Sequence, residues 1–408
     1  GAWNAHEEKF FSNLTSVLSH FTLKASYSLT ADRGPADVTN SQAIITSYSP
    51  YRPFTSIQES GLYIKELENS ELTYEKKHEL NIGADMGFLN NRINLAVDWY
   101  KRNNYDLIGI VNTQGAGGQI LKYANIASMK SHGIEFTLST KNIKTKDFNW
   151  NTDFIFSNAK NEVTDLKQNA NVMELISGNG FAKQGYPVRG LFSIPFVGLD
   201  KDGIPVIINE KGEATSTDIN FQERQNTGFL KYEGPTDPTI TGSLGNMFSY
   251  KGFRLNLFIT YSFGNVIRLN PVFKAYYSDL TAMTREFKNR WTLPGDEAKT
   301  NVPAILSKRM YDSNEDLKYA YNAYNYSTER IAKGDFIRLK EISLAYDFPK
   351  AWINPLKLTD LSLKVQATNL FLIYADDKLN GQDPEFFNAG GVASPAPRQF
   401  TITLRLGL

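Results

Sequence analysis

The chain has no cysteine among its 408 residues. Disulfides and thiolate metal sites are therefore excluded, and the redox compartment goes unread. There are only four histidines, at positions 6, 20, 78 and 132. No His-Glu-x-x-His motif, no Gly-x-Ser-x-Gly elbow and no Gly-rich phosphate loop opening a helix occurs. Ser157-Asn-Ala-Lys160 has Ser-x-x-Lys spacing, but it falls at a strand end instead of opening a helix. The chain is therefore not expected to be an enzyme, and no cofactor is expected. A net charge of +1 offers no basic stripe for nucleic acid. No apolar run reaches the roughly 20 residues of a spanning helix, and mean hydropathy is −0.37. Barrel strands cross a bilayer with about 9–11 residues, half of them polar, so this does not exclude a membrane. Gly1-Ala2-Trp3-Asn4 shows no basic n-region, apolar h-region or cleavage site.

What is abundant is turn and aromatic: 29 Gly, 26 Phe and 21 Tyr, a mix suited to β structure. The clearest pattern is a hairpin. Leu80, Ile82, Ala84, Met86 and Phe88 alternate with Asn81, Gly83, Asp85 and Gly87; Leu89-Asn90-Asn91-Arg92 turns; Ile93, Leu95, Val97 and Trp99 alternate with Asn94, Ala96, Asp98 and Tyr100. Period two gives one dry and one wet face. The wet face is too polar for a packed core and suits a barrel wall with lipid outside. Similar patterns occupy residues 21–29, 134–138 with 148–156, 240–248 with 253–263, 342–348 with 361–367, and 400–408. Around residues 337–340 the apolar phase slips, as a bulge or a strand leaving the membrane would require. About ten strands result. Short turns alternate with long connections at 33–75, 105–127, 160–238, 265–334 and 374–397. The long connections are expected to hold small elements at residues 197–208, around Asp202-Gly203, and 278–291. Strict alternation fits a transmembrane antiparallel β-barrel with short periplasmic turns and long extracellular loops; a soluble sandwich has no reason to sort its loops by rim. The wall either closes as a small barrel or stays open for strands from elsewhere, since unpaired edges are not tolerated in lipid.

Several segments resemble the C-terminal part of the SusC-like, TonB-dependent outer-membrane transporters of Bacteroidota. They include Leu72-Thr-Tyr-Glu-Lys-Lys-His-Glu-Leu-Asn-Ile-Gly, Asp98-Trp-Tyr-Lys-Arg, Ser131-His-Gly-Ile-Glu-Phe, Gly185-Tyr-Pro-Val-Arg-Gly, Gly334-Asp-Phe-Ile-Arg-Leu-Lys, Asn380-Gly-Gln-Asp-Pro-Glu-Phe-Phe and Pro397-Arg-Gln-Phe-Thr. The resemblance covers almost the whole chain, in family order. It implies an all-β fold, the C-terminal part of a barrel of about 22 strands with a plugged lumen. It also implies a SusD-like lipoprotein lid, TonB as energy source, and uptake of glycan oligosaccharides or oligopeptides in the bacterial outer membrane. Residues 1–408 would form only the C-terminal part of the barrel, with plug, TonB box and N-terminal strands elsewhere. The rest of the transporter is then a partner, together with lid, TonB, lipid and ligand. A rival is a SusC-like barrel kept as a structural scaffold in a larger outer-membrane assembly; another is an outer-membrane hydrolase with an acid–base pair at the rim.

Candidate site residues fall in three groups. Asp376, Asp377, Asn380, Asp383 and Glu385 crowd one loop. Hard oxygens at such spacing suit Ca²⁺, but the EF-hand order is missing, so no metal is assigned. A structured loop at the lid interface and direct ligand contact are the other readings. Trp291, Tyr319, Tyr321, Tyr324 and Tyr326, with Tyr276 and Tyr277, are loop aromatics that either stack on a glycan or peptide or simply pack the loop. Asp85, Asp98, Glu135, Asp153, Arg254 and Arg405, with Asp347 and Lys364, lie on the wet face and are expected to face the lumen. Trp99, Trp150, Tyr261, Tyr346 and Trp352 fit interfacial girdles.

Overall fold

The computed structural model describes residues 1–34, 42–51, 60–66, 68–112, 115, 121–272, 284–314, 316–387 and 395–407. Tyr276, Tyr277, part of the 278–291 segment and Leu408 lie outside them. An 11-stranded antiparallel sheet forms a wall. Its strands are Ala2–Asn4, Leu18–Asp32, Glu75–Phe88, Ile93–Asn112, Leu121–Lys144, Phe148–Leu166, Ile240–Tyr250, Phe253–Phe263, Phe336–Asp347, Asp360–Ala375 and Gln399–Gly407. They follow one another in space as in sequence. The ten expected strands are all present, preceded by the three-residue strand Ala2–Asn4. The first and last strands do not pair with each other, so the wall is open and the small closed barrel is excluded.

Register confirms the two faces. Ile82 lies opposite Trp99, Trp99 opposite Ile134, and Ile134 opposite Asn158. The apolar rows continue through Leu255–Leu344 and Val365–Ile402. Phe400 and Ile402 are each 74% exposed, so none of the described residues covers them. From Leu80 to Phe88 the belt runs about 27 Å along the strand, or about 20 Å at a ~40° tilt, close to the ~25 Å apolar band of outer-membrane barrels. Aromatics border it near the short turns, where Trp150 stacks on Phe248 at 5.6 Å and Phe253 lies 4.4 Å from Tyr346. The phase slip is a bulge: Phe258 pairs with Glu341 and Ile259 with Leu339, leaving Lys340 unmatched and both apolar runs on one face.

The turns use the backbone freedom of their residues. Leu89, Asn90 and Asn91 all take positive φ. Asparagine tolerates this, whereas a leucine there costs about 1–2 kcal/mol. Neighbouring strands hold the strained turn: Asn90 N–H donates to Ser19 Oγ at 2.7 Å, and Arg92 Nε donates to Lys141 O at 2.8 Å. Lys251 and Gly252 form the next tight turn, again at positive φ, where a Cβ on Gly252 would meet Asp347 O at 2.8 Å.

The long connections depart from expectation in one place. Residues 105–127 are not a long loop, because one strand runs on to Asn112 and its partner begins at Leu121. Leu121–Lys144 has 24 residues, about 80 Å of strand, well beyond a hydrocarbon core of about 30 Å. Its upper half therefore stands clear of the apolar belt, and register with its neighbours persists there through bulges. The hairpin expected at residues 197–208 is present, with Phe196–Leu199 paired to Pro205–Ile208 and Gly203 at φ +75°.

The dry core sits in the loops. Val172, Leu175, Ile176, Phe192, Ile194, Ile207 and Ala323 pack together, almost wholly buried. Each larger side chain buried there contributes about 1.5–3 kcal/mol. Asn171 starts the helix Val172–Ile176 with a capping box: its side chain accepts from Glu174 N–H, and the Glu174 carboxylate accepts from Asn171 N–H, both at 2.8 Å.

Candidate functional site

The loop packages gather at the long-loop rim and are tied together by three buried arginines. Arg268, 6% exposed, donates to the carbonyls of Ser327 at 3.0 Å and Phe192 at 2.6 Å, with Ile176 O at 3.3 Å. Burial pulls its pKa down to about 9. Arg330 pairs with Glu286 and donates to Asn270 O at 2.8 Å. Arg338 stands on the inner face of the wall, opposite Thr260, and pairs with Asp383 at 2.6 Å and Glu385 at 3.3 Å.

This arrangement decides the acidic loop. Asp383, 9% exposed at its side chain, neutralises Arg338 and caps the turn Pro384–Phe386 by accepting from Glu385 N–H. Asp376 accepts from the N–H groups of Lys333 at 2.8 Å and Lys378 at 2.9 Å. Asn380 donates to Glu286 at 3.0 Å, closing a link to Arg330. Asp377 begins the short turn Asp377–Leu379. Among the described residues no three acidic or imidazole groups converge for a metal ion. The loop is a clasp, and it borders a cleft of about 850 Å³ lined by Asn270, Asn369, Gln382, Asp383, Phe386 and Arg398. Amides, a guanidinium and a phenyl ring can bond hydroxyls or peptide groups and stack on an apolar face.

The tyrosines divide. Tyr321 and Tyr324 lie on the helix Leu317–Asn325 with no exposure, so they pack the loop and cannot meet a ligand. Tyr321 donates to Ala304 O at 2.9 Å. Tyr319 is 48% exposed and lies 6.4 Å from Phe221. Tyr326 packs beside Arg268, 5.8 Å from its guanidinium, against the loop core. Trp291 Nε1–H donates to Glu297 at 2.9 Å, and its ring covers Gly203 so closely that a Cβ there would meet it at 2.6 Å. Among the described residues of this group, Tyr319 alone presents a largely open side chain. Arg338 was within reach of the sequence, since parity carried across the bulge puts it on the wet face; Arg268 has no such signal.

No family model matches the chain. Curated relatives do. It is 25% identical to TonB-dependent receptor P3 of Formosa agariphila over 94% of this chain and 37% of that one. It is 26% identical to the TonB-dependent receptor SusC of Bacteroides thetaiotaomicron over 100% of this chain and 39% of that one. The chain thus spans about two fifths of the length of the curated relatives it matches. Among solved structures it overlays the RagAB peptide transporter with a TM-score of 0.76 at 24% identity, covering 100% of this chain and 42% of that one. The RagAB peptide importer in its open-open state gives 0.77 at 23%, with the same coverage. Over its whole length the chain is similar to a barrel portion of SusC-like, TonB-dependent receptors. Its place is the bacterial outer membrane, short turns toward the periplasm and long loops outside. The relatives are receptors and transporters, in line with a non-enzymatic chain.

The charges of the wet face meet across strands. Lys24 bridges Asp85 at 3.0 Å and Asp98 at 3.7 Å. Asp153 accepts from Ser139 Oγ at 2.6 Å, and Glu135 accepts from Ser157 Oγ at 3.4 Å. Arg254 pairs with Asp347 at 3.0 Å, Lys364 with Glu341 at 3.8 Å, and Arg405 with Asp360 at 3.8 Å. Cations of the wall thus meet most of these carboxylates, while Asp153 and Glu135 are met by hydroxyls.

Proposed function

We propose that the chain supplies the ligand-handling wall and loops of an active outer-membrane importer for glycan oligosaccharides or oligopeptides. A SusD-like lipoprotein covers the extracellular rim, and TonB energises release. The observation that carries this reading is the clasp. A prefolded loop cap, locked to the inner wall by Arg338, holds a polar cleft beside the lumen, where a solute held under a lid would rest. Trp291, Tyr319, Asn380 and Gln382 stand at or near that cap. The overlaid RagAB structures are of a peptide transporter and importer, which supports a peptide over a glycan.

The chain forms the C-terminal barrel part in this reading, with plug, TonB box and remaining strands supplied by the rest of the receptor. Residues 26–32 of the second strand pair with Glu75–Phe88 on one edge only, and the outer edge of Gln399–Gly407 has no strand partner among the described residues. In lipid each unpaired backbone group costs several kcal/mol, so both edges need strands from elsewhere in the receptor. The test is mass spectrometry of the complex drawn from its native outer membrane through a tag on the receptor. A surface lipoprotein in fixed ratio with a trapped glycan or peptide supports the importer. Assembly-machinery subunits around an empty lumen would replace it with a scaffold.

A further inference from the structure

The outward face changes chemistry abruptly above Trp99. In the row containing Trp99 every neighbour across four further strands is uncharged: Ile82, Ile134, Asn158 and Ile240. One row higher, toward the extracellular rim, Lys101 lies opposite His132 and His132 opposite Lys160. All three are exposed. Strand spacing of about 4.8 Å puts their backbones within about 10 Å. Several other strand lysines have carboxylates: Lys76 meets Asp106 at 2.7 Å, Lys130 meets Glu162 at 2.9 Å, and Lys24 meets Asp85. Lys101, His132 and Lys160 make no side-chain hydrogen bond or ion pair among the described residues.

We propose that Lys101, His132 and Lys160 form a docking row for the phosphate groups of an outer-leaflet glycolipid. The geometry matches the task. The row faces lipid, begins where the apolar belt ends, and sits on strands inside the sheet, where further wall strands do not cover it. Two ammonium groups and an imidazole N–H can share the oxygens of one phosphate in charge-assisted hydrogen bonds. Lysines cost little at the interface and much at the midplane, so their height is consistent with a headgroup. The inference holds whatever solute the receptor takes.

The test is native mass spectrometry of the intact receptor in non-ionic detergent, titrated with bis-phosphorylated lipid A and with the same lipid stripped of phosphate. Each basic residue at an anionic surface strengthens binding on the order of fivefold. The double variant Lys101→Gln/Lys160→Gln should therefore bind the phosphorylated lipid roughly thirtyfold more weakly, and wild type should prefer it to the stripped lipid. Equal binding by wild type and variant, or no preference for phosphate, overturns the proposal. Should the variant fail to reach the folded, heat-modifiable band, amine acetylation of the wild-type receptor decides: shielding of Lys101 and Lys160 by the phosphorylated lipid alone supports the row, and unchanged labelling refutes it.

Discussion

Replacing Asp383 by asparagine would test whether the acidic loop is held by Arg338 or merely rests on it. Arg338 is 4% exposed and Asp383 9%, so the charge left behind has little water to compensate it. Removing one partner of a buried pair costs about 3–5 kcal/mol. Glu385 stays 3.3 Å from Arg338 Nε and is itself 37% exposed, so the low end, about 3 kcal/mol, applies. Residues 376–387 open locally, so this cost appears in their amide hydrogen exchange and not in unfolding of the wall. At about 1.4 kcal/mol per tenfold, exchange should quicken on the order of a hundredfold. The strands flanking Arg254 should be unaffected. Arg405→Gln is the control: its pair spans 3.8 Å between groups 78% and 53% exposed, and such surface pairs contribute about 0–1 kcal/mol. Arg338→Met with Asp383→Leu should recover much of the loss, since an apolar replacement removes both charges together. If Asp383→Asn changed exchange no more than Arg405→Gln, the clasp would not be what orders this loop.

Three other outcomes follow from the same geometry. Leu95→Arg on the lipid face should lower folding stability by about 2–4 kcal/mol, while Ala96→Arg on the lumen face is tolerated; urea titration in detergent or vesicles reads both, and equal penalties would mean the faces are misassigned. Gly242→Ala should block correct strand pairing, because the new Cβ would sit 2.1 Å from Ile155 O and 2.3 Å from the Tyr261 hydroxyl; Tyr261→Phe should not rescue it, since the carbonyl remains, and loss of the heat-modifiable band is the readout. Asp296 is held below its usual pKa of 3.8, first by the Leu293 N–H and then by Thr292. A depressed carboxylate stabilises above its unfolded pKa, and that contribution is lost as pH falls through the lower folded value. Limited proteolysis near residues 292–300 should thus rise only below about pH 4 in wild type and should be high at neutral pH in Asp296→Asn.

The wall was legible because period two is written in every strand and lipid enforces it. A residue such as Leu95 sits outward because the opposite choice is costly, and even the slip near Lys340 announced its bulge. Loop chemistry carries no such period. Tyr321 and Tyr324 look like Tyr319 in sequence, and only the packing of the helix Leu317–Asn325 against Leu306 separates core from surface. The acidic run looked like a set of ligands because its partner, Arg338, is 45 residues away from Asp383. The long strands Ile93–Asn112 and Leu121–Lys144 were underread for a related reason: above the belt a mostly polar run, residues 101–106, is followed by a mostly apolar one, residues 107–111, and the alternation that marks a strand disappears.

Lipid surrounds the wall, so burying its apolar face against protein offers little driving force there, and strand pairing with polar lumen contacts sets its geometry. The loops face water and must build their own hydrophobic core. That is why the buried residues cluster at Phe192 and Ile194 and not at Leu95 or Leu255. Two solvents thus require two separately stabilised structures in one chain, and something must join them. Arg338 does so from a strand whose outer neighbours, Ile337 and Leu339, face lipid, while its own side chain reaches the acidic clasp. A joint of this kind couples loop order to the wall without demanding that either move with the other. The cleft beside Asp383 can then reorganise around a solute at a cost set by one ion pair and a few turns, while the barrel stays paired strand to strand.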